Sequence, residues 1–420
     1  MATAVTNWAG NYTYRATTIH EPKTLDELRA ILARAPKIHA LGSRHCFNDI
    51  ADSAELIAVE ALDQPIEIDK TARTVTVGAG VLYGTLALAL EREQLALHNM
   101  ASLPHISVGG AVATATHGSG DANGNLATAV SAVELVTSDG DVLHFSRGDD
   151  DFPGVVVGLG ALGVVTRLTL DVQPTYLVQQ QVFEHLPWDL LFDRFDEVMS
   201  SADSVSIFTD YGDDIGQLWR KSRVDPEHPR LPLDDFLGAT AARQMMHPVP
   251  TISPENCTEQ LGVAGSWLDR LPHFRMDAVP ASGAEIQSEY MVPRRDAVAA
   301  IRAIRELAAT IFPHLWTSEI RTVAADDLWM STAYGTDTVC IHFSFRLDPE
   351  AVNGLLPIIE ATLAPFNARP HWGKVFFLAA SDLEPRYERM SEFRRLAARL
   401  DQRGAFRNAF LDRHVFEELA

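Results

Sequence analysis

The chain is poor in cysteine, in basic charge and in long apolar runs, and each shortage removes a class of protein. Three cysteines, Cys46, Cys257 and Cys340, lie far apart, with no C-x-x-C pair and no zinc spacing. A disulfide framework is therefore excluded, and a reducing compartment fits. Lys plus Arg number 35 against 56 Asp plus Glu, a net charge of −21. Nucleic acid and anionic membranes demand basic patches, so neither is expected as a partner. The longest apolar run, near residues 154–165, is interrupted by glycine and too short to span a bilayer. The first residues, MATAVTNWAG, lack a basic start followed by an apolar stretch. No signal peptide is expected, and a cytoplasmic location is. Internal repeats, low-complexity segments and the Walker pattern G-x-x-x-x-G-K-[ST] are also missing.

What is present is ordinary for a soluble enzyme: 46% hydrophobic and 22% charged residues over 420 positions, enough for two or three domains. Thr24-Leu25-Asp26-Glu27 reads as a capping box that opens a helix to about Ala35. Strands are expected at 37–41, 74–77 and 164–172, a helix at 86–93, and a hairpin over 133–145 turning at Asp139-Gly140. After about Pro174 the texture changes. Strands at 205–209, 284–290, 318–324 and 338–345 alternate with longer helices, one at 296–307. Residues 226–254 are proline-rich and loop-like. The tail, 388–420, reads as helical with a break at Gln402-Arg403-Gly404. The whole reads as an α+β fold, with an N-terminal domain, a sheet-rich second domain and a C-terminal segment.

Six stretches bear on chemistry. Gly158-Leu159-Gly160-Ala161-Leu162-Gly163 matches G-x-G-x-x-G, but the residues after it alternate as a strand. A dinucleotide fingerprint must open a helix, so a packing turn is the better reading. Gly42-Ser43-Arg44-His45 and the segment 101–120, ASLPHISVGGAVATATHGSG, are loops of small residues. Each is either a tight turn or a set of backbone amides offered to phosphate. Glu319 and Arg321 share one face of a strand, as do His342 and Ser344. That face meets either solvent or a cavity holding a polyhydroxylated ligand. Lys374, in His371-Trp372-Gly373-Lys374, borders an apolar strand; most lysines are solvated, but one held there can serve in proton transfer.

LGSRHCFNDI, MASLPHISVGGAVATATHGSG, LGALGVVTRLTL, EIRTVAADDLW and RPHWGKVF together resemble the alditol oxidases, which are vanillyl-alcohol-oxidase-type flavoproteins related to the sugar-lactone oxidases. The likeness runs from Asn7 to Phe410. It implies two domains: a PCMH-type FAD-binding domain over 1–175, rejoined by 377–420, and a substrate domain of sheet and helices over 176–376. It implies FAD bound covalently through His45, where the family usually flanks the histidine with glycine and serine rather than Arg44 and Cys46. Leu41, Gly42, Ser43, Arg44, His45, Cys46, Phe47, Ser102, Ser107, Gly110, Thr114, Ala115, Thr116, His117 and Val165 would hold the cofactor. Ser102, Glu319, Arg321, Ser344 and Lys374 would line the substrate pocket, with Ser344 standing where the family tends to carry threonine.

The implied reaction oxidises the terminal primary alcohol of a polyol to the aldose, with O2 reduced to H2O2. Arg321 and Lys374 would stabilise alkoxide charge, and His342 would take the proton. A monomer without metal is expected, acting on a small polyol. Lactone oxidase or dehydrogenase, NAD-dependent dehydrogenase and sugar-binding protein are the rivals. Ala101, near the expected oxygen path, leaves oxidase and dehydrogenase open.

Overall fold

Period-two alternation builds the sheets. In strand Val164–Asp171 the side chains of Val164, Thr166, Leu168 and Leu170 are buried and those between them are half-buried. This strand is the middle of a five-stranded antiparallel sheet with the order Glu67–Asp69, Thr74–Gly78, Val164–Asp171, Val130–Val136, Val142–Ser146. Beside it lies a small parallel sheet in which Glu55–Ala58 separates Thr18–His20 from Ile38–Leu41. The computed structural model describes residues 5–62, 64–227, 234–278 and 284–416.

A nine-stranded antiparallel sheet follows, and its middle runs Ser204–Thr209, Leu315–Val323, Thr338–Arg346, Glu285–Pro293. Ile341, Phe343 and Phe345 project from one face of that middle and are fully buried. Helices Ala297–Glu306 and Pro349–Leu363 put Ala300, Ile301, Ile304, Leu356 and Ile359 into the same core. The other face carries the polar residues described below. Among the described residues, no helix is long and apolar enough to cross a membrane.

The tail returns to the first sheets. Ile38 N–H donates to Ala405 C=O at 2.9 Å, Lys37 Nζ to Gly404 C=O at 2.8 Å, and Asn408 Nδ2 to the Ile50 and Asp52 carbonyls at 2.8 and 2.9 Å. The Gln402-Arg403-Gly404 break is a turn closed by the Asp401 carboxylate, which accepts from Ala405 and Phe406 N–H.

The strands and helices expected from sequence form within a few residues, with three differences. The first helix stops at Leu32, and Glu27 returns its bond to Lys23 N–H rather than to Thr24. The second starts at Tyr83, because its N-cap, Leu82, offers no capping side chain to read. Within 226–254, Thr240–Ala241 adds a short strand beside Phe183 and Glu184; residues 228–233, and 417–420 of the tail, fall outside the described residues.

Candidate active site

The loops singled out in the sequence meet in space. Ser43 and Ser107 exchange bonds: Ser43 N–H donates to Ser107 Oγ at 3.3 Å, and Ser107 N–H to Ser43 Oγ at 2.9 Å. Ser43 Oγ also lies 3.1 Å from His45 Nδ1. Gly42 is required there, since a Cβ on it would come within 2.5 Å of Ser107 Oγ. Phe47 N–H donates to Gly373 C=O at 2.7 Å, and Asn48 Nδ2 binds the Trp372 and Lys374 carbonyls at 2.8 and 2.6 Å. The histidine loop and the His-Trp-Gly-Lys loop are thus one assembly. Leu41 to Phe47, Ser102, Ser107, Gly110, Thr114, Thr116, His117 and Val165 all line a single continuous cavity. Ala115 does not line it. It is fully buried with φ +52°, and its backbone turns the loop between Thr114 and Thr116.

The polar face of the large sheet forms the far wall. Register aligns residues in rows across three strands: Glu319, His342 and Glu289 in one row, Thr317, Ser344 and Gln287 in the next. Arg321 sits on the other side of the Glu319 row, beside Cys340. A face of this kind in water would be unremarkable, but here Glu319, Arg321, His342 and Ser344 are all buried and line the same cavity as the loops. The cavity reading of that strand face is therefore the one that holds.

Glu289 organises the charges. Lys374 Nζ lies 2.7 Å from Glu289 Oε2, Arg321 Nη2 2.8 Å from Oε1, and His117 Nε2 3.3 Å from Oε1. Burial alone would raise this carboxyl, but Lys374, His117 and Arg321 outweigh it and hold it well below the usual range. Glu319 behaves likewise: burial opposes ionisation, and Arg321 and His273 override it. Burial lowers Lys374, with Glu289 pulling the other way. Burial and Lys374 bring His342 down to about 3, so a neutral ring faces the cavity, with both nitrogens unpartnered among the described residues. Ser102 Oγ is 3.5 Å from Arg321 Nη1, and Ser344 Oγ donates to Glu285 at 3.2 Å. His117, Glu289 and His371 could place ligand atoms within 4.8 Å of one another. With both Glu289 oxygens already occupied by Arg321 and Lys374, a further cation there is disfavoured.

Sequence reasoning missed several of these residues. Glu289 was legible in principle, because Glu285, Gln287 and Glu289 repeat with period two along EIQSEYMVP. Trp8 stacks on His45 with ring centroids 5.5 Å apart, a contact across 37 positions that no local pattern announces. The Gly158–Gly163 turn needs correction. It does not open a helix, as expected, and Gly160 (φ +73°) packs against His39, where a Cβ would come within 2.2 Å of the ring. Yet Gly158, Leu159, Gly160, Leu162 and Gly163 also line the cavity, so the motif is a wall of the site and not merely a packing turn. Arg44 is exposed, its amide backbone in the left-handed region (φ +62°), with no acidic partner among the described residues. Burial pushes the Cys46 thiol up to about 12, consistent with an inert filler.

Residues 16–146 match the family model described as an FAD binding domain, and 278–414 that of D-arabinono-1,4-lactone oxidase. An alditol oxidase from Streptomyces sp. is 48% identical, over 98% of this chain and 99% of the relative. The chain belongs to the alditol oxidase family. It is an FAD-dependent oxidoreductase. An L-gulono-1,4-lactone dehydrogenase from Mycobacterium tuberculosis is more distant, 28% identical over 97% of this chain and 98% of the relative. The fold is also that of the solved cholesterol oxidase from B. sterolicum: TM-score 0.78 at 15% identity, covering 98% of this chain and 96% of that one. The cavity fits FAD on independent grounds. Gly42 leaves no room for a side chain beside Ser107, so backbone amides line the loop. His45 Nε2 and His39 Nε2 are buried at the cavity without a partner among the described residues. Burial holds His45 down at about 4, which keeps its ring neutral and nucleophilic.

Proposed function

We propose that the protein oxidises the terminal primary alcohol of alditols such as xylitol and sorbitol to the aldose, with O2 reduced to H2O2, using FAD attached through His45. The observation that carries this reading is one cavity bounded on one side by the His45, Ser107 and Thr114 loops and on the other by the Glu289–Glu319–Arg321–Lys374 cluster. We assign residues 1–175 and 377–420 to the FAD domain and 176–376 to the substrate domain; the Ile38–Ala405 bond supports the tail's assignment.

When bound, FAD supplies the acceptor for the substrate hydride and the route by which O2 is reduced. The residues do the rest. Arg321 and Lys374 face the hydroxyl that becomes the carbonyl and stabilise its developing negative charge. Their charges are balanced by Glu289 and Glu319, so the resting site carries no unpaired cation. His342 offers a neutral nitrogen to the departing hydroxyl proton. Glu319, Ser102 and Ser344 hold neighbouring hydroxyls and fix the reacting end, and burial excludes water. The Glu319–Arg321 pair favours an open polyol over the lactone substrate suggested by the more distant relative's name.

Acid precipitation of the purified holoprotein tests the cofactor half. Flavin absorbance should stay with the pellet, and in His45→Ala should move to the supernatant. A peroxide assay with xylitol, sorbitol and L-gulono-1,4-lactone tests the substrate half; turnover of the lactone alone would overturn the alditol reading.

A further inference from the structure

Behind Glu319 lies a second set of polar groups that the reaction above does not use. Lys221 is in the middle of strand Ile215–Val224 and is fully buried. Its Nζ lies 2.5 Å from Leu271 C=O, 3.2 Å from Pro272 C=O and 3.0 Å from His273 Nδ1. His273 Nε2 is 2.8 Å from Glu319 Oε1. Phe208 and Trp219 meet the His273 ring edge-on, with centroids 5.5 and 5.2 Å away, and His273 borders the same cavity as Glu319.

The order of protons follows from which groups can donate. An ionised carboxylate only accepts, so His273 Nε2 carries the hydrogen. In a neutral ring Nδ1 is then a lone pair, and Lys221 must donate to it. The other two neighbours of Nζ are carbonyls, which also only accept. Three acceptors call for three N–H bonds, so the geometry suits the ammonium; a neutral amine would set its lone pair against an oxygen. The charged and titratable groups acting on the pair are Glu319 and Arg321, both on strand Leu315–Val323, and Cys257, whose thiol burial pushes up to about 12. The nearest anion to the ammonium is thus Glu319, reached through the imidazole. Burying an ammonium among carbonyls is costly, and an apolar residue in the strand would avoid that cost.

We infer that Lys221 and His273 are a positioning dyad for Glu319. Lys221 locks the His273 tautomer, His273 ties down Oε1, and Oε2 is left facing Arg321, 3.5 Å away, and the substrate. The inference rests on the reading of Glu319 as a substrate-binding carboxylate.

The test uses the full-length FAD-loaded protein with xylitol, across about pH 6 to about pH 9, for the wild type and for Lys221→Met, His273→Gln and His273→Leu. Bound flavin per chain reports folding. In Lys221→Met, kcat/KM should fall about tenfold or more. His273→Gln can accept from Lys221 through its carbonyl and donate to Glu319 through its amide, and should retain most activity; His273→Leu should not. A Lys221→Met protein with wild-type kcat/KM, or Gln as impaired as Leu, overturns the dyad. If Lys221→Met does not fold, the Gln and Leu pair decides. A wild type that oxidises no polyol sinks the alditol reading instead. The dyad is then read from the imidazole 15N signals of His273, where the neutral Nε2–H form should persist across the range, and its protonation there would overturn the inference.

Discussion

Arg44 occupies a backbone conformation that glycine adopts freely and a side chain enters at a cost of about 1 kcal/mol. Its side chain is exposed and forms no ion pair among the described residues, so nothing visible offsets that cost. Arg44→Gly should therefore raise stability, by up to about 1 kcal/mol, with flavin retention unchanged; thermal denaturation followed by acid precipitation measures both. Lys374 is the opposite case. Its ammonium has one carboxylate partner and one face to the cavity. Lys374→Met should lower kcat by about a hundredfold, as the loss of a donor to developing oxyanion charge does, and stopped-flow flavin reduction by xylitol would show it. His45, Arg321 and Lys374 were legible because each sits in a short motif whose chemistry needs that residue. Glu289 was legible only as one polar position in a period-two strand, because its importance comes from a histidine, an arginine and a lysine brought from positions 117, 321 and 374.

At the scale of elements, the N-terminal segment acts as a clasp on the histidine loop. Trp8 N–H donates to Arg44 C=O at 2.8 Å, Asn7 Nδ2 to Cys46 C=O at 3.0 Å and Asn11 Nδ2 to Phe47 C=O at 2.8 Å, while the Trp8 ring stacks on His45. Such stacking is worth about 0.5–1.5 kcal/mol. Trp8→Ala should slow attachment of flavin about threefold to tenfold while leaving FAD bound, seen as absorbance shifting from pellet to supernatant after acid treatment; Trp8→Phe should restore it. Strands were readable because alternation is local. Their neighbours were not: the order that places Thr338–Arg346 between Leu315–Val323 and Glu285–Pro293 is a long-range choice. That choice turns three separately polar strand faces into one tiled wall.

For the whole molecule, the buried charges set the response to acid. Glu289 and Glu319 are held below their unfolded values, near about 4.3. A depressed folded pKa gives stability that is present above the unfolded pKa and lost as pH falls from there through the folded pKa. Asp326 is pushed up by burial to about 6, so its contribution has the other sign and weakens as pH rises from about 4 to about 6. The melting temperature should therefore drop steeply below about pH 4, and Glu319→Gln should flatten that limb. Calorimetry over this range checks both.

The bonds from Ile38 to Ala405 and from Asn48 to Trp372 and Lys374 have a bearing on biosynthesis. A ribosome makes the histidine loop early and its supports last, so the cradle for the flavin stays unfinished through most of translation. Cofactor loading is then a late event. Nascent chains stalled before Arg369 should emerge unable to retain FAD, and supply of the vitamin-derived cofactor should limit the finished protein rather than its synthesis.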